Sequence, residues 1–217
     1  MKHFNGANVW GVLHEFTKKT TENGKAYIEV SVNCPNAKYG NVRVFGRLWG
    51  GDKAELFIKS FSPGQKVKLQ GNLAQYKGKK DRTCTNFNFY AAEAWDPESD
   101  QHKTNRATFI LVGEVTSFED GKDEGRLLIS VKREGAAEEV FEVFIPTQAL
   151  LDFAYPVIGK LYRVKGVMAQ EADEFGDVVK YSRPVVVEME EKAADTPAPR
   201  PSTGSGRTDE GQGDIPF

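Results

Sequence analysis

Two glycine pairs separated by the same interval constrain this chain more than any other feature. Gly64 and Gly71 recur as Gly159 and Gly166, 95 positions later in each case, inside segments that line up: FIKSFSPGQKVKLQGNLAQ in the first half and LLDFAYPVIGKLYRVKGVMAQ in the second. A tandem copy of one small unit accounts for both pairs. In each copy the first glycine reads as the turn after a helix and the second as a bend that carries a strand around a barrel corner. The length of 217 residues fits two units of about 100 each.

Inside each copy, apolar residues alternate with polar ones in short runs broken by Gly, Asn and Asp, the pattern of half-buried antiparallel strands. The first half predicts strands at Asn8 to Phe16, Ala26 to Asn33, Asn41 to Leu48, Lys66 to Tyr76 and Thr83 to Glu93, with a helix over Asp52 to Phe61. The second predicts strands at Ala107 to Phe118, Arg126 to Lys132, Glu139 to Ile145, Lys160 to Ala169 and Asp177 to Glu188, with a helix near Thr147 to Tyr155. Five strands with a helix between the third and fourth is the order of an oligonucleotide-binding (OB) barrel. The expected fold is therefore all-β: a first barrel over 1–97, a polar linker over 98–106 and a second barrel over 107–190. From 191 to 217 the composition loses apolar periodicity and predicts a disordered tail, because too little surface can be buried to offset ordering entropy.

Charge divides the copies. Met1 to Trp95 holds 15 Lys and Arg against 7 Asp and Glu, a net of +8, whereas Asp96 to Glu190 holds 11 against 19, a net of −8. A basic unit beside an acidic one points to a polyanion for the first and a different contact for the second.

Strand alternation locates the basic groups. On the third strand Val42, Val44 and Leu48 point inward and Arg43, Phe45 and Arg47 outward. On the fourth, Val67, Leu69, Gly71 and Leu73 face in, leaving Lys66, Lys68, Gln70, Asn72 and Tyr76 outside. Ile28, Val30 and Val32 place Tyr27 on the outer wall of the second strand, and Lys77, Lys79, Lys80 and Arg82 carry positive charge into the following hairpin. Rings interleaved with cations suit an unpaired polynucleotide, since cations track phosphates and rings stack on bases of any sequence. Trp49, closing the third strand, joins the candidates; packing is the competing role for Trp10, Trp49, Trp95 and Phe45, and Phe87 with Phe89 can equally line the core.

The stretch VRVFGRLWGGDKAELFIKSFSPGQKVKLQGNLAQY, Val42 to Tyr76, resembles the bacterial single-stranded DNA-binding protein family in its third strand with aromatic-Gly-basic, helix, Gly, and fourth strand with Gly-x-Leu and a closing aromatic. The resemblance implies base stacking by Tyr39, Phe45 and Tyr76. That family also ends in a linker, an acidic cluster and Ile-Pro-Phe, which Asp214, Ile215, Pro216 and Phe217 resemble, so the resemblance implies recruitment of replication, recombination and repair proteins by the tip. Physically, two apolar side chains beside a free carboxylate and Asp214 form a compact ligand for a pocket with an apolar floor and a basic rim. Two barrels per chain resemble the members that dimerise to reach four, and the acidic run before Ile215 is thin, with Asp209, Glu210 and Asp214 spaced by Gly and Gln.

The second barrel carries Glu138, Glu139, Glu142, Glu171, Asp173, Glu174 and Asp177 where the first has its cations, so a phosphate backbone should avoid it. Division of labour follows: DNA on the first barrel, assembly, spacing or a protein contact on the second, with a minor DNA role for Arg163, Lys165, Lys180 and Arg183. No enzymatic activity, metal or cofactor is expected, since His3, His14 and His102 lack ligand spacing and no phosphate loop or nucleophile motif occurs. Cys34 and Cys84 read as reduced bystanders. No run approaches a membrane span and the start has no apolar leader, so the expected place is the cytoplasm, on the nucleoid or in a host cell if a phage encodes the chain. Two alternatives compete: a protein adaptor whose acidic barrel mimics DNA, and an RNA-binding OB protein, because stacking platforms tolerate ribose.

Overall fold

The computed structural model describes residues 2–36, 40–78, 82–96, 98, 106–152, 155–172 and 178–192. Among these, ten strands and two helices follow the predicted order: β1 (Phe4–Thr20), β2 (Ala26–Asn36), β3 (Gly40–Trp49), α1 (Gly51–Ser60), β4 (Lys66–Lys77), β5 (Thr83–Ala94), β6 (Arg106–Glu119), β7 (Glu124–Val131), β8 (Glu139–Pro146), α2 (Thr147–Asp152), β9 (Leu161–Ala172) and β10 (Val178–Glu191). The linker is described only in part, and residues 193–217, with the whole Ile-Pro-Phe tip, lie outside the described residues.

Each set of five strands closes into an OB barrel. In the first the order is β2-β3-β5-β4-β1 with β1 returning to β2; in the second β6 joins β7 and β9 at the two ends of the same arrangement. The pairs β3 with β5 and β8 with β10 are parallel, at Gly46↔Phe87 and Phe144↔Val185, and most other ladders are antiparallel. Val9, Leu13, Ile28, Val32, Val67, Leu69 and Phe87 fill the first core, and Leu111, Leu127, Ile129, Phe141, Val143 and Val164 fill the second, all nearly inaccessible. These are the inward positions of the alternation, because a pleated strand can bury only every second side chain. Phe87 and Phe89 belong to the core, their rings stacked 5.6 Å apart.

β1 is longer than the Asn8 to Phe16 predicted, and the reason is its partners. Val12 to Thr20 pair with β2, past a bulge at His14, while Phe4 to Trp10 pair with β6 of the second barrel; β4 holds the other edge from Ala7 to Val12. The edge that β2 leaves is thus taken by the second copy, so that neither barrel exposes it. β4, β1, β6 and β9 form one continuous wall, with Ala7 opposite Phe109 and Val9 opposite Ala107 on its buried side.

The repeat is visible in backbone geometry. Gly64 and Gly159 adopt φ of 91° and 83° after their helices, a region open mainly to glycine. At Gly71 a Cβ would lie 2.3 Å from the Asn88 carbonyl oxygen, and at Gly166 it would lie 2.2 Å from the Phe109 ring, so both fourth strands need the missing side chain where they turn under a bulged fifth strand. α1 plugs the first barrel with Ala54 and Phe57, the latter edge-on to Phe16 at 5.5 Å. α2 is described as far as Asp152; Phe153 and Ala154 are not described, and Tyr155, the predicted end, lies outside the helix, exposed with its hydroxyl on Asp120 at 3.2 Å. Within the described residues no helix is long and apolar enough to cross a membrane.

Candidate nucleic-acid interface

The outer wall of the first barrel presents its residues in rows set by strand register. Glu15 faces Ser31, which faces Phe45; one row along, Thr17, Glu29 and Arg47 align, and beyond them Tyr27 sits opposite Trp49. Parallel pairing of Gly46 with Phe87 brings β5 alongside, and Cys84 opposite Tyr76 adds the end of β4. The result is a groove of about 350 Å³ in which Phe45, Arg47, Tyr76, Asn86, Glu15 and Glu29 meet. Tyr76 is 48% exposed, so its ring is open to a ligand.

Next to the groove, Tyr27 and Trp49 stack with centroids 4.9 Å apart, and the Arg47 guanidinium lies 5.5 Å from the Tyr27 ring centroid. Trp49 Nε1 donates to Asn88 Oδ1 at 3.2 Å, which fixes the indole on the wall. Arg43 Nε donates to Asn33 Oδ1 at 2.9 Å while its side chain stays exposed. Glu29 pairs with Lys19 and lies 3.9 Å from Arg47, and its partners neutralise much of the negative charge beside the rings. A track of rings and guanidinium groups of this kind can hold an extended chain of flat bases joined by anionic links.

The sequence-based candidates divide on this surface. Tyr27, Arg43, Phe45, Arg47, Trp49 and Tyr76 share the one wall. Lys66 and Lys68 do not join them: they lie ten and eight residues before Tyr76 on β4, where that strand pairs with β1 at Val12 and Trp10. Eight residues of strand span roughly 26 Å, enough to set these lysines at the opposite end of the barrel wall. Lys68 there pairs with Glu93 at 3.3 Å. Alternation predicts a shared outward face, but the wall curves, so one strand's outward residues look in different directions. Lys77 and Arg82 line the crevice between the barrels, with Lys77 Nζ donating to Thr83 Oγ1 at 3.0 Å. Tyr39, Lys79 and Lys80 lie outside the described residues, as do Asp214, Ile215, Pro216 and Phe217. Trp10 and Trp95 are buried near the Lys68 end, with the Arg106 guanidinium 5.2 Å from the Trp10 ring. One ring escaped the sequence reading. Tyr90 is 51% exposed at the β5 bulge, beside Lys53, and its parity against Phe87 and Phe89 was the available signal.

The same wall of the second barrel is built differently. β8 presents Val140, Glu142 and Phe144 outward where β3 presents Arg43, Phe45 and Arg47. Glu142 is also covered by the first barrel: Gln75 accepts from its backbone N–H at 2.7 Å and donates to its carbonyl at 2.8 Å, and Thr83 Oγ1 donates to its carboxylate. Arg126 closes the cluster at 2.7 Å. In the mirrored contact, Gln170 Oε1 accepts from the Arg43 backbone at 3.3 Å. Arg183 is held by Glu124 and lies 5.1 Å from the Phe144 ring, and Lys165 is paired with Glu188 at 2.7 Å. Asp173, Glu174 and Asp177 are not described.

Burial alone would raise the Glu142 pKa, but hydrogen bonds from Arg126 and Thr83, with the charge of Arg126, hold it below the ordinary 4.5. A carboxyl depressed on folding stabilises the native state above its unfolded pKa and loses that contribution as pH falls through the folded value. Glu142→Gln is therefore expected to lower the melting temperature at neutral pH, with the gap to the parent closing on acidification below 4.5; a gap independent of pH would remove the clamp. Burial pushes the Cys34 thiol up to about 12, leaving little thiolate for chemistry at neutral pH. Among the described residues no group of three or more His, Cys, Asp and Glu is placed to hold a metal ion.

No protein-family model matches this chain, and no curated protein sequence matches it either. Solved structures do. The fold is similar to that of a bacterial single-stranded DNA-binding protein. The wild-type protein of that name from Thermus aquaticus covers 89% of this chain and 95% of its own length, with a TM-score of 0.65 at 15% identity. A deletion variant of the Thermus aquaticus protein gives a TM-score of 0.64 at 16% identity over 90% of this chain and 98% of that one. The Thermus likeness is one of fold, spanning both barrels.

Proposed function

We propose that this chain binds single-stranded DNA without marked sequence preference, on the outer wall of the first barrel, and has no catalytic role. The observation that carries the reading is the meeting of Phe45, Tyr76 and Arg47 in one groove, continued by the Tyr27–Trp49 stack. Rings lining one groove take up bases, and Arg43 and Arg47 meet the phosphates. The Thermus aquaticus proteins support it, since their name states this ligand and their two-barrel fold extends over nearly all of this chain.

Residues 1–97 act as the DNA-binding domain and 107–190 as the assembly and spacing domain, joined by 98–106. The Glu142 cluster supports this division, because a carboxylate clamped by the other barrel replaces a stacking ring. The tail from 191, ending in Asp214, Ile215, Pro216 and Phe217, recruits proteins of replication, recombination and repair to the coated strand in the cytoplasm. Two such chains pair as a homodimer. Support comes from the outer face of the wall made by β4, β1, β6 and β9, where Phe4 is 49% exposed and Ile110 and Val167 are partly exposed.

Anisotropy of a labelled oligothymidine against a duplex of equal length tests the reading. The single strand is expected to bind at least about 100-fold more tightly and to quench Trp49, because paired bases cannot reach the rings. Equal affinity for the duplex would refute it.

A further inference from the structure

The groove contains an acceptor that neither stacking nor phosphate contact uses. Glu15 on β1 stands directly opposite Ser31 on β2, and Ser31 directly opposite Phe45 on β3. Neighbouring strands are about 4.8 Å apart, which sets Glu15 two strand widths from the ring-bearing residue with only a small side chain between. Ser31 is buried, and its hydroxyl reaches Glu15 Oε1 at 3.5 Å, the outer limit of a hydrogen bond, so the carboxylate keeps most of its accepting capacity. The other carboxylate of the groove, Glu29, is occupied by Lys19 and lies beside Arg47, and Glu29 together with the Tyr27 ring draws the guanidinium toward the neighbouring row.

A base stacked on Phe45 and extending over Ser31 brings its edge to Glu15. We propose that Glu15 makes the Phe45 position prefer bases that offer an amino group, and so cytosine over thymine among pyrimidines. This rests on the reading of the groove as a single-strand site and adds a modest bias at one position to binding that stacking leaves without marked sequence preference. An ionised carboxylate only accepts hydrogen bonds. Cytosine offers its N4 amino group, whereas thymine offers the O4 carbonyl at the same position, which sets acceptor against acceptor. The two bases have similar stacking area, so their difference isolates the edge contact.

The test compares oligodeoxycytidine with oligothymidine of equal length on the full chain, at mildly alkaline pH where cytosine is unprotonated. The parent is expected to bind the cytidine oligomer about five- to tenfold more tightly, the lower range for one base-edge contact at an exposed site. Glu15→Gln, whose amide donates to thymine O4, should bring the two within about twofold and raise affinity for thymidine. Glu15 is exposed, so the variant is expected to fold, which circular dichroism checks. Equal affinities in the parent, or a preference unchanged in the variant, would overturn the role of Glu15 alone; failure of the parent to bind either oligomer would overturn the groove reading as well.

Discussion

Alanine at both Phe45 and Tyr76 is expected to weaken oligothymidine binding by roughly two to four orders of magnitude, since each base stack contributes about 1 to 3 kcal/mol. Both rings face the groove rather than the core, and the inward neighbours Val44 and Leu73 are the residues that seal the barrel beneath them. The melting temperature should therefore change little, which separates lost binding from lost folding. Each single variant should give about half the loss in free energy if the two rings hold different bases. A double variant that folds normally and binds within about threefold of the parent would remove stacking as the basis of recognition.

The second large effect is electrostatic and divides the cations by position. Arg43→Ala with Arg47→Ala should make the slope of log K against log salt less steep by about 1.4, at about 0.7 for each phosphate contact on a single strand. At about 0.1 M salt that corresponds to roughly a 25-fold loss of affinity. Lys66→Ala with Lys68→Ala removes the same formal charge from the far end of β4, where Lys68 already pairs with Glu93, and should leave the slope nearly unchanged. Titrations at several salt concentrations check both variants. Equal slope changes in the two would mean that the strand also runs over the wall shared by the barrels, and a change confined to the Lys66 and Lys68 variant would place it there instead of in the groove.

The contrast between those two pairs marks how far residues alone reach. Alternation in VRVFGRLW and KVKLQGNLAQY assigns inward and outward faces correctly, because burial of every second side chain is a local consequence of pleating and of apolar patterning. It carries no information on which outward residues of different strands become neighbours. Phe45 meets Tyr76 through β5, whose parallel pairing with β3 joins segments about 40 residues apart in sequence. Lys68 shares a strand and a parity with Tyr76 and still looks elsewhere, because barrel closure turns the wall between them.

What the chain's order of residues settled by itself is the duplicated five-strand plan, its two helices, the glycine turns and the split of charge between halves, all of which follow from local periodicity and composition. Only the tertiary structure decided that β1 lends its free edge to β6, that Gln75 covers Glu142, and that one end of the first barrel gathers the rings. The strand pairings depend on backbone hydrogen bonds between distant segments, and backbone groups are alike at nearly every residue; the Gln75 amide finds the Glu142 backbone only because that register brings two residues 67 positions apart together, which local side-chain pattern does not encode.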